Sequence, residues 1–306
     1  MSGPRMRGTL IGLAAIVLWS AMVGLIRLVS VRFGPMLGVA LIYSLATALL
    51  WVTRSPQHLR SFPLPYLLVG GGLFVVYEVS VGLAVGLAEG SEQALEVSIV
   101  NYLWPTFAVL LSAVTSRGWK TSWLVLPGAV TAAAGIAWVV GGDGGPDPAH
   151  IIGNVASNPL AYALALIGAV AWACYTVFSP SISRGHDGIT VFFTGVAAAL
   201  WIVYAVAGEH VGVSFSPGSV MALTAAAAVI AAAYACWNVG IARGDVRALP
   251  VASYATPVLS SIVGSVLLGT TLDMSFWFGV LLVAIGSICG WRSMRAPAAD
   301  TASEED

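Results

Sequence analysis

Charged residues divide the chain into long stretches of uncharged, mostly apolar sequence. Such stretches cover residues 8–26, 33–53, 97–116, 121–142, 188–208, 248–272 and 274–291. A helix needs about 20 apolar residues to cross a hydrocarbon layer about 30 Å thick, because each residue advances the helix by about 1.5 Å. Each stretch therefore predicts one membrane-spanning helix.

Two longer uncharged stretches, 151–183 and 211–242, each contain a signal for the start of a helix. The first holds Asn158-Pro159 and the second holds Ser216-Pro217-Gly218. In both, a capping residue precedes a proline, which is favoured in the first helical turn. Each stretch is therefore predicted to be a short loop followed by one helix.

A further apolar segment, Tyr66 to Ala88, is interrupted only by Glu78 near its middle. It predicts one more span, which brings the total to ten. The apolar runs are continuous rather than alternating, and this excludes the strands of a membrane β-barrel. The predicted fold class is an all-α membrane protein.

Composition agrees with this prediction. The chain of 306 residues is 58% hydrophobic and 9% charged, with a mean hydropathy of +0.90. Soluble domains carry roughly 25% charged residues. The formal net charge of -1 indicates no affinity for nucleic acid, and the lipid bilayer is the expected surrounding partner.

The basic residues predict the orientation of the chain. With a cytoplasmic N-terminus, only Arg27 and Arg32 of the thirteen lie on the outer side. The eleven inner ones are Arg5, Arg7, Arg54, Arg60, Arg117, Lys120, Arg184, Arg243, Arg247, Arg292 and Arg295. Cytoplasmic loops are enriched in Lys and Arg, so both termini are predicted to be cytoplasmic.

The chain also repeats itself. Residues 85–90 (VGLAEG) recur as residues 239–244 (VGIARG) at an offset of 154, and Trp19 matches Trp172 at an offset of 153. Each match alone is weak in a chain rich in alanine and valine. Their common order and nearly equal offset indicate an internal duplication.

Two prolines belong to the same repeat. Tyr102 with Pro105 corresponds to Tyr254 with Pro257, at an offset of 152. A proline inside a helix removes one backbone hydrogen bond and bends the helix, which frees carbonyl groups to line a cavity. Pro105 and Pro257 are therefore predicted hinges, with a static bend as the alternative.

The duplication predicts two repeats of five helices, in residues 1–146 and 147–295, followed by an acidic cytoplasmic tail in 296–306. An odd number of crossings makes the second repeat enter the membrane from the opposite side. Inverted repeats of this kind are the usual basis of alternating access in secondary transporters. The chain contains no phosphate-binding loop of the G-x-x-x-x-G-K-[ST] type, so ATP is not the expected energy source.

The five-plus-five plan, the paired tryptophans and the paired prolines resemble the drug/metabolite transporter superfamily of the EamA type. Residues 101–106 (NYLWPT) and the aromatic-rich third and eighth spans are similar to the YddG-type aromatic amino acid exporters. This resemblance implies amino acid export across a bacterial inner membrane. One departure is Gly269-Thr270, where many EamA second halves carry Gly-Glu.

Polar and aromatic side chains deep within a span usually face the bundle interior or a water-filled cavity. Those selected by this criterion predict an aromatic-lined site for an amphipathic substrate. They are Trp19, Tyr77, Glu78, Asn101, Tyr102, Trp172, Tyr175, Tyr234, Trp237, Asn238 and Tyr254. Interior packing is the competing interpretation for the tryptophans.

Glu78 is the acid that lies far from both ends of a span. A carboxyl group at that depth can exchange a proton or pair with the ammonium group of a substrate. The alternative is a protonated glutamate that only bonds a neighbouring helix. The expected role is coupling of transport.

Two other functional classes and one other kind of carrier compete with an amino acid exporter. An intramembrane enzyme is disfavoured because His58, His150, His186 and His210 all lie in predicted loops, so no metal centre or cofactor is expected. A channel would show a charged ring or a filter-like loop. The closest alternative is a broader drug or metabolite exporter of the same superfamily, and the carrier is expected to work as a monomer.

Overall fold

The computed structural model describes residues 3–54, 59–115, 125–142, 145–209, 215–245 and 248–294. Several residues of the sequence predictions lie outside these ranges. They are His58, Arg117, Lys120, His210, Arg247, Arg295 and the tail 296–306.

The described residues are almost entirely helical and contain no strand. The α-helices are α1 (Gly3–Phe33), α2 (Pro35–Thr53), α3 (Gly71–Gly86), α4 (Ser91–Asn101), α5 (Trp104–Thr115), α6 (Val125–Gly141), α7 (Pro148–Ser157), α8 (Pro159–Ser183), α9 (Ile189–Ala207), α10 (Pro217–Arg243), α11 (Ala248–Ser253), α12 (Thr256–Leu268) and α13 (Met274–Met294). A short 3-10 helix covers Leu59–Ser61, and a π-helical turn, Tyr66–Gly70, leads directly into α3.

Seven segments are helical, long and apolar enough to cross a membrane. They are Arg5–Phe33, Pro35–Thr53, Tyr66–Gly86, Ser91–Ser112, Pro159–Ser183, Ile189–Ala207 and Pro217–Arg243. Three shorter apolar helices cover Leu126–Gly141, Thr256–Leu268 and Met274–Gly290. The prediction of an all-helical membrane protein is confirmed.

Both predicted helix starts are confirmed, and each helix begins directly after its capping residue. The side chain of Asn158 accepts a hydrogen bond from the backbone N–H of Ala161 (3.3 Å), and α8 begins at the next proline. Ser216 accepts from the N–H of Ser219 (3.2 Å), and α10 begins in the same way. These side chains satisfy N–H groups that have no partner within the helix.

The prediction of a short loop before α8 is wrong, because residues 148–157 form the additional helix α7. The carboxylate of Asp147 accepts from the N–H of Ala149 (3.0 Å), and Pro148 occupies the first turn. No residue of α7 is fully buried. A good cap and a first-turn proline therefore start a helix here on the surface.

Two predicted spans, 97–116 and 248–272, are each interrupted in their first third. Between α4 and α5 the chain turns at Tyr102 and Leu103, and between α11 and α12 it turns at Tyr254 and Ala255. In each case the predicted hinge proline is the second residue of the following helix. Proline cannot donate the backbone bond that would continue the preceding helix, so a break at this position follows from the sequence.

Glycines allow the closest helix contacts. A Cβ atom added to Gly240 of α10 would lie 2.6 Å from the Cα atom of Gly12 on α1. On α6, a Cβ at Gly128 would lie 2.7 Å from the backbone N of Gly290 on α13. Helix α3 packs on α8 and α2 packs on α9. In a bilayer, such close backbone approach through small residues is a main source of helix association.

Candidate functional site

Glu78 lies on α3 and is only 1% exposed. One carboxylate oxygen accepts a hydrogen bond from the hydroxyl of Tyr43 on α2, and the other accepts from the hydroxyl of Tyr234 on α10. Of the basic side chains that the structure describes, none forms an ion pair with Glu78. The carboxyl group is therefore held by two tyrosines of separate helices rather than by a cation.

Tyr43 is a site residue that the sequence analysis missed. It is fully buried, and it lies in the interior of an otherwise apolar span. Like the other tyrosines of the predicted site, it carries a hydroxyl at membrane depth that needs a partner. The sequence therefore contained the signal, but nothing in it paired Tyr43 with Glu78.

A first aromatic group surrounds Tyr234. The ring of Trp19 on α1 lies 5.3 Å from the ring of Tyr234 and 5.1 Å from that of Trp237. The ring of Phe193 on α9 lies 5.2 Å from Tyr234 and 5.6 Å from Tyr43. The structure thus brings three of the predicted site residues together beside Glu78.

A second aromatic group is centred on Trp172 of α8. The ring of Tyr77 stacks on it at 4.4 Å and 29°, and the ring of Tyr175 stacks at 5.0 Å and 18°. Trp104 stands at right angles to it, with ring centroids 6.3 Å apart. Trp172 is only partly buried, so its ring is not fully enclosed by these neighbours.

Phe74 joins the two groups. Its ring lies 5.5 Å from Tyr234 of the first group and 5.6 Å from Tyr175 of the second. We call the continuous set of rings the aromatic seam. Its members are Trp19, Phe74, Tyr77, Trp172, Tyr175, Tyr234 and Trp237.

Asn101, the last residue of α4, adds a polar group near the seam. It is 6% exposed, and its side-chain carbonyl oxygen has no hydrogen-bond partner among the described residues. A Cβ atom on Gly168 of α8 would lie 3.2 Å from that oxygen. Gly168 is one helical turn before Trp172, so the oxygen lies close to the stacked rings. A buried polar group without a partner is costly and calls for an explanation.

Tyr102 and Tyr254 occupy the two breaks. Tyr254 is 8% exposed and Tyr102 is partly buried. The helices beside the breaks pack on each other, because a Cβ atom on Gly264 of α12 would lie 2.5 Å from the side chain of Leu95 on α4. The helix before the first break therefore adjoins the helix after the second, which contains Pro257.

Asn238 has a different environment. Its amide donates to Asp187 (2.9 Å), and the same carboxylate oxygen pairs with Arg54 (3.0 Å). These contacts link α10, the loop after α8 and the end of α2. Asn238 therefore belongs to a polar cluster with Arg54 and Asp187, which we call the polar tie. Its amide takes no part in the hydrogen bonds of Glu78.

Across the described residues, no group of three or more His, Cys, Asp or Glu side chains could hold a metal ion. The chemistry of this region rests instead on stacked rings, tyrosine hydroxyls, one amide and one carboxyl group. Such a set can bind an amphipathic molecule with a flat apolar part.

Comparison with known proteins assigns the chain to a family. The sequence profile of the EamA-like transporter family matches residues 159–290. The aromatic amino acid exporter YddG of Salmonella typhimurium is 46% identical over 289 residues, which cover 94% of this chain and 98% of that protein. The chain belongs to the EamA-like transporter family.

Other members and a solved structure extend this result. The exporter YddG of Escherichia coli is 46% identical and covers 95% of the chain. The exporter of the same name from Ancylobacter novellus is 31% identical and covers 84%. A crystal structure that covers 97% of this EamA-family chain, at 25% identity, has a TM-score of 0.61. The helical bundle therefore resembles a fold seen in a crystal structure.

Proposed function

We propose that this chain exports aromatic amino acids across a bacterial inner membrane, as a monomeric secondary transporter. The observation that carries the proposal is the 46% identity, over 94% of the chain, to a relative named as an aromatic amino acid exporter. The aromatic seam supports it, because stacked rings suit a flat apolar side chain. The absence of a histidine at seam depth among the described residues favours a carrier over an enzyme.

The proposed transporter has ten spans in two inverted repeats, residues 1–146 and 147–295, with both termini in the cytoplasm. The helix neighbours support this arrangement. Under a twofold relation between repeats, exchanging the repeats turns a contact between helices of the two repeats into its counterpart. Contact α1–α10 corresponds in this way to α3–α8, and α1–α12 corresponds to α5–α8. Contacts α2–α9 and α6–α13 correspond to themselves.

The proposed substrate site is the seam together with Asn101. The ring of the substrate would lie against the partly exposed Trp172, and the free carbonyl oxygen of Asn101 would accept from its ammonium or indole N–H. The other residues of the sequence prediction are proposed to line or support the same space. They are Trp19, Tyr77, Glu78, Tyr102, Tyr175, Tyr234, Trp237, Asn238 and Tyr254.

Glu78 is the proposed coupling residue, and Pro105 and Pro257 are the proposed hinges. The carboxyl group of Glu78 links α3 to α10, which belong to different repeats, so a change in its charge would alter the attraction between the repeats. The helix breaks at the two prolines leave backbone segments that can change direction without loss of helical hydrogen bonds.

Counterflow in proteoliposomes tests the function. Labelled phenylalanine should enter vesicles loaded with unlabelled phenylalanine, tyrosine or tryptophan, and uptake should saturate. Uptake with an aliphatic amino acid inside should be much slower. Equal counterflow with unrelated metabolites would instead indicate a broad exporter, and flux that never saturates would indicate a channel.

Two tryptophans supply a matched test of the site. Trp172→Ala removes the centre of the stacked group and should lower counterflow at least tenfold. Trp201→Ala removes a tryptophan that is 41% exposed on α9 and should leave counterflow near the wild-type rate. Equal loss in both variants, with equal protein recovery, would contradict the assignment of the seam as the substrate site.

The coupling role has its own test. Glu78→Gln and Glu78→Ala should remove the dependence of net export on a proton gradient, while exchange of substrate continues. Export by both variants that responds to the gradient as the wild type does would refute the role of Glu78.

A further inference from the structure

The two tyrosines that bond Glu78 come from different parts of the molecule. Tyr43 belongs to α2, in the same proposed repeat as Glu78, whereas Tyr234 belongs to α10 in the other repeat. A motion of one repeat against the other changes the distance from Glu78 to Tyr234.

The ring of Tyr43 is firmly placed against α3. Gly82 lies one helical turn after Glu78, and a Cβ atom there would lie 3.6 Å from the ring of Tyr43 and 2.7 Å from the side chain of Val39. The missing side chain thus makes room for α2 to approach α3 beside the carboxyl group. Tyr43 itself has no exposed surface.

A second contact holds the backbone of Tyr43. The hydroxyl of Thr47 lies 2.6 Å from the carbonyl oxygen of Tyr43 and 3.1 Å from that of Phe193 on α9. The ring of Phe193 also packs on Tyr43, with centroids 5.6 Å apart. Backbone and ring are therefore both restrained, which keeps the hydroxyl directed at Glu78.

We propose that Tyr43 is a positioning residue that orients the carboxyl group of Glu78 and sets the pH at which it exchanges a proton with water. This proposal rests on the proposed coupling role of Glu78. The hydroxyl of Tyr43 donates to the ionised carboxylate, and such hydrogen bonds favour the ionised form. Tyr43 does not contact the substrate in this arrangement but acts through Glu78.

Few titratable groups surround Glu78, so Tyr43 has a large influence on the pH at which Glu78 exchanges a proton. The titratable groups that face it are Tyr43 from α2, Tyr234 from α10 and Tyr77 from α3. The other helices packed on α3 present no charged side chain to it within the described chain. The cation Arg27 of α1 bonds the carbonyl of Gly86 (3.3 Å), two turns farther along α3.

Infrared titration of the purified protein in lipid nanodiscs tests this proposal without transport. The C=O band of protonated Glu78 is identified by its loss in Glu78→Gln. In Tyr43→Phe, the midpoint of this band should move to higher pH by about 1–2 units, since a hydrogen bond to a charged group contributes about 1.5–3 kcal/mol. An unchanged midpoint would overturn the proposal.

Two variants make the test independent of misfolding. Incorporation of 3-fluorotyrosine at position 43 keeps the shape of the ring but makes the hydroxyl a stronger donor, so the midpoint should move to lower pH. Tyr162→Phe removes another tyrosine bonded to a carboxylate, that of Glu96 (2.5 Å), and should leave the Glu78 band unchanged. Equal shifts for Tyr162→Phe and Tyr43→Phe would show a general effect and refute a specific role.

Transport measured on the same variants separates this proposal from the proposed function. A shifted infrared midpoint without counterflow of aromatic amino acids supports the role of Tyr43 and contradicts the substrate assignment. Normal counterflow with an unshifted midpoint supports the substrate assignment and contradicts the role of Tyr43.

Discussion

The interface between α1 and α10, here the inner seam, and the interface between α3 and α8, here the outer seam, correspond to each other in the proposed repeats. Both are distinct from the aromatic seam. The helix backbones approach each other more closely at the inner seam. At the inner seam, Cβ atoms on Gly240 and Gly244 would lie 2.6 Å from Gly12 Cα and 2.8 Å from Thr9 N. Their counterparts at the offset of 154 are Gly86 and Gly90. Gly86 faces α1 and the start of α2, and a Cβ atom added to Gly90 would meet nothing within 4 Å.

The partner helix explains part of this difference. The residues of α8 that match Gly8 and Gly12 at the offset of 153 are Ala161 and Ala165. Their methyl groups prevent the backbone approach that two facing glycines allow. Similar repeats can therefore form one close and one looser seam.

The largest effect is expected from filling the close seam. Gly240→Ala places a methyl group against the backbone of Gly12, and overpacking of this kind costs about 1–3 kcal/mol. The melting temperature in detergent should fall by several degrees. Gly90→Ala, at the outer-seam position that corresponds to Gly244 rather than to Gly240, should change it little, because the added methyl group meets open space.

Equal destabilisation by these two alanines would break the comparison, since it would mean that both seams are equally close. The rate of counterflow in the same two variants is a second test of the difference between the seams. Gly240→Ala should shift the protein away from the arrangement described here and alter the rate. Gly90→Ala should leave the rate near that of the wild type.

A smaller effect is expected at the polar contact between Glu209 and the start of α2. This carboxylate accepts from the N–H of Leu37 (2.8 Å) and Met36 (3.2 Å), while the N-cap residue Gly34 has no side chain to do so. Glu209→Ala should cost about 1 kcal/mol, as loss of a helix cap does. Glu209→Gln retains an acceptor and should lose less in the same thermal measurement, so an equal loss would rule out the capping role.

The smallest effect is expected at the tie of Arg54, Asp187 and Asn238. Its carboxylate is 43% exposed, and exposed ion pairs contribute about 0–1 kcal/mol. Asp187→Asn and Asn238→Ala should each lower stability slightly, and the double variant should lose less than their sum. A changed substrate affinity in Asn238→Ala with additive stability losses would instead show that Asn238 acts in the proposed substrate site rather than in the tie.

The sequence predicted several features because they depend on local rules. The apolar stretches, the caps at Asn158 and Ser216, and the breaks before Pro105 and Pro257 all follow from nearby residues. Helix α7 was not predicted from the apolar stretches, although Asp147-Pro148 is a start signal of the same kind as Asn158-Pro159. That error concerns a surface helix and leaves the bundle unchanged.

The candidate site was predicted less completely. Mid-span depth selected Glu78, Tyr234 and the tryptophans that form the seam, but it gave Asn238 the same standing although its amide bonds Asp187. Depth within a span is a one-dimensional property. It does not tell which face of a helix meets which neighbour when several faces carry polar groups.

By itself, the sequence determined that the protein is an all-helical membrane protein, because the bilayer imposes one length and one polarity rule on every span. Only the tertiary structure decided that Tyr43 shares Glu78 with Tyr234, and that α1 and α10 meet through their glycines. These contacts join residues distant in the chain. Their choice depends on how whole helices pack, and the hydrophobic pattern of each helix is nearly uniform around its circumference.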